Sequence, residues 1–206
     1  GGALISPDGS KQNCVAPFPS LATELINKSL LRSFSKRHRS KVPDGVTEPF
    51  EVDSVIGASL AIRGKTLAAI GGLDERFFFF FEETDWCYQC HKLGWKVVCV
   101  PQAMVEHGQG ESSKPVLVDT RVEFYRSRYR YFQKNHGKLK TAILFEGLLI
   151  KLMIETASAF VMKTLTGGRK ERWKNRYEVV SKILKWHING CPLSWGLEGK
   201  FLLPER

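Results

Sequence analysis

The sequence predicts an α/β unit over residues 1–115 followed by an all-helical, basic extension over residues 116–206. Three observations predict this. Up to about residue 115, short β-branched runs bounded by Pro and Gly turns alternate with brief helical patterns. From about Thr120, apolar residues recur at helical spacing over long stretches with few breakers. The chain has 206 residues, of which 43% are hydrophobic and 25% charged, so it is able to bury a core and is not disordered by composition.

Residues 1–20 read as strand and loop, punctuated by Pro7-Asp8-Gly9-Ser10 and Pro17-Phe18-Pro19, where proline presets one dihedral and glycine allows positive φ. Residues 21–34 put Leu21, Leu25, Leu30 and Phe34 on one side of a helix. The basic run Lys36-Arg37-His38-Arg39-Ser40-Lys41, ended by Pro43-Asp44-Gly45, reads as an exposed loop able to move. Phe50 to Arg63 reads as a buried strand interrupted by the minimal side chains of Gly57-Ala58-Ser59. Residues 65–70 make a short helix ended by Gly71-Gly72, because glycine takes a left-handed cap without a Cβ clash.

Five phenylalanines follow, Phe77 to Phe81, and such a run needs cover on both faces, a partner or a membrane. A helix from Glu82 to about Leu93, stopped by Gly94, places Trp86, Cys90 and Leu93 on its apolar face. Lys96-Val97-Val98-Cys99-Val100 reads as a short buried strand closed by Pro101, with His107 beyond it in His107-Gly108-Gln109-Gly110. Helices are expected over about 120–135, 141–165 and 169–188, the first with Gly137 past its end. A tail with Pro192 and Pro204 completes the chain.

The net charge of +10 and a pI of about 9.5 imply an acidic partner: nucleic acid, anionic lipid or a phosphorylated substrate. The five cysteines, Cys14, Cys87, Cys90, Cys99 and Cys191, are scattered and odd in number, which reads as reduced thiols in a cytosolic protein rather than a disulfide framework. The sequon Asn27-Lys28-Ser29 then carries no meaning. The chain begins Gly1-Gly2-Ala3-Leu4-Ile5 with no charged, apolar leader, so the expectation is a processed or truncated chain without a signal peptide.

Several constellations could carry chemistry. Glu82, Glu83 and Asp85 crowd three carboxylates into four residues. Repulsion and partial burial raise a carboxylate pKa, which suits a general base, although acids in a first helical turn also simply complement the helix dipole. His107, flanked by glycine, is able to offer a metal a ring nitrogen, or to serve as an ordinary hydrogen-bonded loop histidine. Cys87-Tyr88-Gln89-Cys90-His91 has the spacing of a haem attachment site, but it lies inside a predicted helix that uses Cys90 on its apolar face, so haem and zinc are rejected. Arg121, Arg126, Arg128, Arg130 and Lys134 interleave with Phe124, Tyr125, Tyr129, Tyr131 and Phe132. That pattern suits nucleic acid, a diphosphate or a membrane surface, or a helix with a solvated basic face and an aromatic core face.

Residues 141–165 approach a transmembrane helix in length, but Glu146, Lys151, Glu155 and Lys163 favour an interfacial or re-entrant helix. Arg169 to Ile188 reads as a basic amphipathic helix, with Trp173, Tyr177, Val180, Leu184 and Ile188 apolar and Lys170, Arg172, Lys174, Arg176, Lys182 and Lys185 charged. This helix suits an anionic lipid surface or a helical bundle.

Together these pieces resemble the family 2 (GT-A type) sugar-nucleotide glycosyltransferases, most closely the bacterial rhamnosyltransferase branch. The resemblance rests on Val55-Ile56-Gly57-Ala58-Ser59-Leu60-Ala61-Ile62-Arg63, on Ile70-Gly71-Gly72-Leu73-Asp74-Glu75-Arg76-Phe77 and on Phe81-Glu82-Glu83-Thr84-Asp85-Trp86. Gly94-Trp95-Lys96-Val97, Pro101 and Val105-Glu106-His107 extend it, and Pro7-Asp8-Gly9-Ser10 and Phe18-Pro19 also fit. The matches run in order over residues 1 to about 138. Each motif is weak alone; the ordered combination is specific.

The resemblance implies an inverting sugar transfer on a GT-A fold, with residues 1–115 as its C-terminal, acceptor-side part. Glu83 would deprotonate the acceptor hydroxyl, one methylene longer than the aspartate more usual there, while Glu82 and Asp85 would position acceptor or base. His107 would help bind Mg²⁺ or Mn²⁺, which neutralises the diphosphate leaving group. Gly57, Ala58, Gly71 and Gly72 would let backbone approach the sugars, and Trp86 would stack or pack. The implied partners are a nucleotide-sugar donor, a glycan or polyprenyl-linked acceptor, and an anionic membrane surface at the inner face of the cell membrane; no nucleic acid is expected. The family's nucleotide-binding half and its Asp-x-Asp metal motif would precede Gly1, so weak activity is expected of this chain alone, and the exposed sheet edge predicts poor solubility. A non-catalytic membrane-surface module and a basic nucleic-acid-binding domain are the rival readings, the second disfavoured by the acids at 82–85.

Overall fold

A computed structural model describes residues 1–27, 30–31, 33, 38–108 and 116–198. Lys28 and Ser29 of the sequon, Phe34, Lys36, Arg37, Gln109, Gly110 and Pro204 lie outside them. The chain divides into one unit of Gly1–Phe77 and Phe81–Glu111 and another of Phe78–Phe80 and Ser112–Arg206. Helices combine with a small mixed sheet, an α/β architecture.

In the first unit, β1 (Gly2–Ile5) and β2 (Val15–Ala16) come first, then α1 (Leu21–Leu25), β3 (Phe50–Val52) and β4 (Ser54–Val55). A 3₁₀ turn (Gly57–Ser59), α2 (Gly64–Ile70), α3 (Glu82–Lys92) and β5 (Val97–Glu106) complete it. β5 is central, with β1 parallel on one side and β3 antiparallel on the other. β2 and β4 form a separate antiparallel pair.

The buried strand expected over 50–63 is instead two short strands and a turn. β3 pairs with β5 and β4 with β2, so the chain changes sheets at Asp53, whose carboxylate leaves the ladder to accept from the Phe18 amide at 3.0 Å. Nor does Pro101 close the last strand, which runs on to Glu106. Gly2 pairs with Val100 and Ala3 already with Met104, so residues 101–103 bulge opposite a single step of β1. The bulge lets a residue without an amide proton sit in the strand. Gly2 is required at this point, because a Cβ there would lie 2.2 Å from the Ala103 carbonyl oxygen.

α1 is one short helix with a capping box between Ser20 and Thr23, and it ends where Ile26 turns extended. Its buried residue is Thr23, and Leu30 is 52% exposed, so the expected leucine face is not a core face. The described part of the basic run is tied down rather than loose: the Ser40 carbonyl accepts from the amides of Cys14 and Val15, and Val42 is buried. α3 buries Asp85, Trp86, Cys87 and Cys90, while Leu93, already at the C-cap before Gly94 (φ 79°), is 59% exposed. The apolar face therefore turns toward Cys87 and away from Leu93.

Trp86, Cys87 and Cys90 pack with Leu4, Cys14, Val15, Val55 and Cys99 in one core. All five cysteines are free thiols. Burial pushes the Cys87 and Cys90 thiols up, Cys90 to about 11, so both serve as small apolar side chains. His91 Nε2 donates to the Val52 carbonyl at 3.2 Å.

The phenylalanine run is not a strand. Phe80 and Phe81 have φ 68° and 70°, rare for bulky residues and incompatible with a strand, and Phe77 and Phe81 are buried.

The second unit holds α4 (Leu117–Leu165) and α5 (Glu171–Ile188). Gly137 (φ 81°, ψ 172°) breaks α4 into two helices, 117–136 and 138–165, meeting at that residue. Val122, Tyr131, Phe132, Leu144, Leu148 and Leu152 of α4 and Val180, Ile183 and Trp186 of α5 are buried. Among the described residues, no helix is long and apolar enough to cross a membrane.

Candidate functional site

The acids fall in the first turn of α3, where unpaired helical N–H groups favour negative charge. The chain enters that turn through left-handed Phe81, a conformation held only where its surroundings impose it. Glu83 lies against the 3₁₀ turn: a Cβ on Gly57 would sit 3.8 Å from its side chain. Gly57 and Ala58 are exposed, so this carboxyl borders open surface.

Glu83 Oε2 and Glu82 Oε2 are buried without a hydrogen-bond partner among the described residues. Burial pushes Glu83 above the ordinary glutamate value of 4.5, although the nearby Gly57 amide pulls the other way. Glu82 is raised by burial first and by the charge of Glu83 second. A carboxylate that is under-solvated and easily protonated is suited to take a proton from a hydroxyl. Asp85 faces inward instead. It is 2% exposed and accepts from Gln89 Nε2 at 3.4 Å.

Trp86 Nε1 donates to the Gly71 carbonyl at 2.9 Å. Its ring is 6% exposed, so it acts on the surface through the loop it holds rather than by offering a face. Gly71 has φ 88° and ψ −173°, a region open essentially to glycine alone, and Gly72 beside it is exposed. A forked Arg76–Asp74 contact, closest at 2.6 Å, stiffens the same loop. The first turn of α3 thus gathers two exposed glycine segments, one against Glu83 and one through Trp86.

His107 stands elsewhere. Its amide donates to the Ile5 carbonyl at the far end of β1, whereas the Gly57–Ser59 turn meets the start of β1 through Ser59 Oγ and the Gly2 amide. Gln12, which the sequence did not mark, holds His107. Gln12 Nε2 donates to the His107 carbonyl at 2.8 Å and to Ser6 Oγ at 2.9 Å, which leaves Gln12 Oε1 to accept from His107 Nδ1 at 3.2 Å. This network assigns the proton to Nδ1 and leaves the Nε2 lone pair for a ligand. His107 therefore fits one position of a divalent-metal shell. Among the described residues, no three His, Cys, Asp or Glu side chains converge on a common point.

In the arginine–aromatic stretch Arg121 is exposed, whereas Arg126, Arg128 and Arg130 are used internally rather than as a solvated basic face. Arg126 is 5% exposed and binds fully buried Glu123 at 2.6 Å, and the guanidinium of Arg128 lies 4.6 Å from the Phe124 ring centroid. Arg130 reaches Glu198 at 2.7 Å.

No family model matches the chain, and no solved structure matches it. Bacterial proteins do, among them two named as rhamnosyl transferases. The N-acetylglucosaminyl-diphospho-decaprenol L-rhamnosyltransferase of Mycobacterium tuberculosis is 29% identical over 141 residues, covering 66% of this chain and 46% of that protein. The dTDP-rhamnosyl transferase RfbF of Shigella flexneri is 26% identical over 159 residues, covering 68% of this chain and 53% of that protein. The chain spans about half the length of the curated relatives it matches. Over about two thirds of its own length, then, this α/β chain is similar to bacterial rhamnosyltransferases.

Proposed function

We propose that the chain is the acceptor-side part of a GT-A type, family 2 glycosyltransferase. It transfers a rhamnose-class sugar, with inversion, from a nucleotide-sugar donor to a glycan or polyprenyl-linked acceptor. Residues 1–115 carry the acceptor site and 116–206 the helical extension. The protein works in the cytoplasm at the inner face of the cell membrane. The observation that carries the reading is Glu83: a raised carboxylate with a buried, unpartnered oxygen, beside the open Gly57-Ala58 turn. The similarity to a transferase named for a decaprenol-linked acceptor, and to another named for dTDP-rhamnose, supports the donor and acceptor classes.

In this mechanism Glu83 takes the proton of the acceptor hydroxyl as that oxygen bonds to the anomeric carbon. The carbon–oxygen bond to the nucleotide diphosphate breaks on the opposite face, and its electron pair leaves with the diphosphate. Burial keeps Glu83 basic, and the charge of Glu83 in turn raises Glu82 beside it, which would position the acceptor or the base. Asp85 holds the first turn of α3 from the core side, and Gly57, Ala58, Gly71 and Gly72 give the acceptor close access to backbone. Mg²⁺ or Mn²⁺, when bound, would supply charge neutralisation to the diphosphate, and His107 would help hold it through Nε2.

The test uses the polypeptide of the whole reading frame, a nucleotide-linked labelled rhamnose and a polyprenyl-diphosphate N-acetylglucosamine acceptor. Glu83→Gln should lower kcat by about 10²–10⁴-fold with unchanged circular dichroism. A Glu83→Gln protein with the kcat of the parent refutes the assignment.

A further inference from the structure

Four thiols are buried in the α/β core, and their surroundings differ. Cys87 and Cys90, on α3, are pushed up by burial and left inert. Cys14, just ahead of β2, and Cys99, in β5, face each other. The backbone fixes both positions. The Cys14 amide donates to the Ser40 carbonyl at 2.8 Å, its carbonyl accepts from the Ile56 amide at 3.0 Å, and Cys99 is paired with Phe50 of β3. The Cys99 thiol donates to the Cys14 sulfur, and the amides of Leu4 and Val42 point at the same sulfur. Three donors on one sulfur favour its anion. Cys14 is therefore held well below the ordinary thiol value, with the Cys99 hydrogen bond the largest cause, and Cys99, which keeps its proton, is pushed up.

Cys14 also has room beside it. A cavity of about 250 Å³ lies between β1 and residues 42–47, with Leu4, Gln12, Cys14, Val42 and Met104 in its walls. Gly9 and Gly45, also in the walls, are exposed, so the space opens to solvent. It is large enough for several water-sized molecules. A thiol that is ionised, next to a second thiol and reached by a small cavity meets the requirements of a redox-active cysteine.

We propose that Cys14 and Cys99 are a buried redox pair: a small hydroperoxide oxidises Cys14, and Cys99 resolves the product to a Cys14–Cys99 disulfide. In the first step the Cys14 thiolate bonds to one peroxide oxygen, the O–O bond breaks, and the leaving hydroxide takes a proton from solvent. In the second the Cys99 sulfur bonds to the Cys14 sulfur, the S–O bond breaks, and the departing hydroxide takes the Cys99 proton. Two thiols are oxidised by two electrons in all, and one hydroperoxide group is reduced to water and its parent alcohol, or to two waters for hydrogen peroxide. The product staples β5 to the segment ahead of β2. This assignment stands apart from the sugar-transfer reading, and Glu83→Gln should leave it unchanged.

The test uses the reduced whole chain at neutral pH. Each pKa step above the working pH costs a thiol about tenfold in thiolate and returns about threefold in nucleophilicity. Cys90, pushed up to about 11 and as buried as Cys14 at 2% exposure, should therefore take iodoacetamide roughly 30–100-fold more slowly than Cys14 in the native protein, read by peptide mass. Hydrogen peroxide should then yield a linked pair of peptides carrying Cys14 and Cys99, two hydrogens lighter than the reduced pair and separated again by dithiothreitol. Cys99→Ser should instead hold Cys14 as a sulfenic acid that dimedone traps. The linked pair is read in the parent chain and so does not depend on the variant folding. The proposal is overturned if peroxide leaves Cys14 and Cys99 unlinked, if it links another pair first, or if Cys14 labels no faster than Cys90.

Discussion

Arg126→Met removes a guanidinium while keeping much of the side chain's apolar length. Glu123 is 0% exposed and faces Arg126 Nη1 at 2.6 Å, with a further bond from the Glu198 amide at 3.1 Å. Arg126 Nη2 also donates to the carbonyls of Pro192 (3.2 Å), Leu193 (3.4 Å) and Trp195. The substitution therefore strands a buried carboxyl and takes a donor from three carbonyls. Burial already pushes Glu123 up, and the Arg126 charge is among the influences that hold it down, so the stranded group takes up a proton. Breaking one side of a buried pair costs about 3–5 kcal/mol. In a chain of this size each kcal/mol moves Tm by about 2–4 °C, which puts the shift at roughly 6–20 °C. Thermal and urea unfolding followed by far-UV circular dichroism reads it. Lys182→Ala, which breaks the exposed contact to Glu178 at 2.7 Å, is the control and should leave the unfolding curve essentially unchanged. A loss below about 1 kcal/mol for Arg126→Met would refute the buried-charge reasoning. If Glu123→Leu with Arg126→Met fails to recover most of the loss, the cost lies in the carbonyls instead.

Three further outcomes are expected. Because the folded pKa of Glu83 is raised, the native state binds more protons than the unfolded one, and stability falls as pH rises from near 4.5 through the folded value; Glu83→Gln should be the more stable protein at neutral pH and should flatten that slope in urea titrations. His187 runs the other way: it is 2% exposed, donates from Nδ1 to Ile183 O and accepts from Tyr129 at Nε2, and burial lowers its pKa. The stabilisation of its neutral form is complete above pH 6.5 and is lost as pH falls below it, and His187→Gln should remove that acid-side loss in unfolding measured by tyrosine and tryptophan signals. Gly2→Ala drives a methyl onto the Ala103 carbonyl and should destabilise by about 1–3 kcal/mol; an unchanged urea midpoint would contradict the tight β1–β5 approach.

Much of the candidate site was legible because local chemistry writes it. Three acids within four residues, followed by helical spacing, place a helix start at residue 82, and the structure begins α3 there. Glycine at 71 and 94 marks helix ends, and both positions have the positive φ that favours glycine. The partners of these groups were not legible. Glu83 meets Gly57 and His107 meets Gln12, the latter pair 95 positions apart, and no pattern within either segment names the other. The fate of the arginines was hidden for the same reason: Arg126 and Arg121 look alike in sequence, yet Arg126 is buried on Glu123 and Arg121 is exposed.

By itself the sequence determined what depends on neighbours a few residues away. Turns such as Pro7-Asp8-Gly9-Ser10, where the Ser10 amide donates to Asp8 Oδ1 at 2.9 Å, are set by one side chain and one dihedral. Only the tertiary structure decided where a strand stops, which helix face is buried and which remains open. Pro101 stays inside β5 because β5 bulges at 101–103 against β1, and Leu93 is exposed because Cys87 fills the core in its place. A stripe along α4 from Leu139 to Leu165 is apolar in any reading, but only the packing of Leu144, Leu148 and Leu152 on the other side leaves it uncovered. Pairing and burial are contests among surfaces far apart in the chain, and apolar area goes to whichever partner the fold brings within reach.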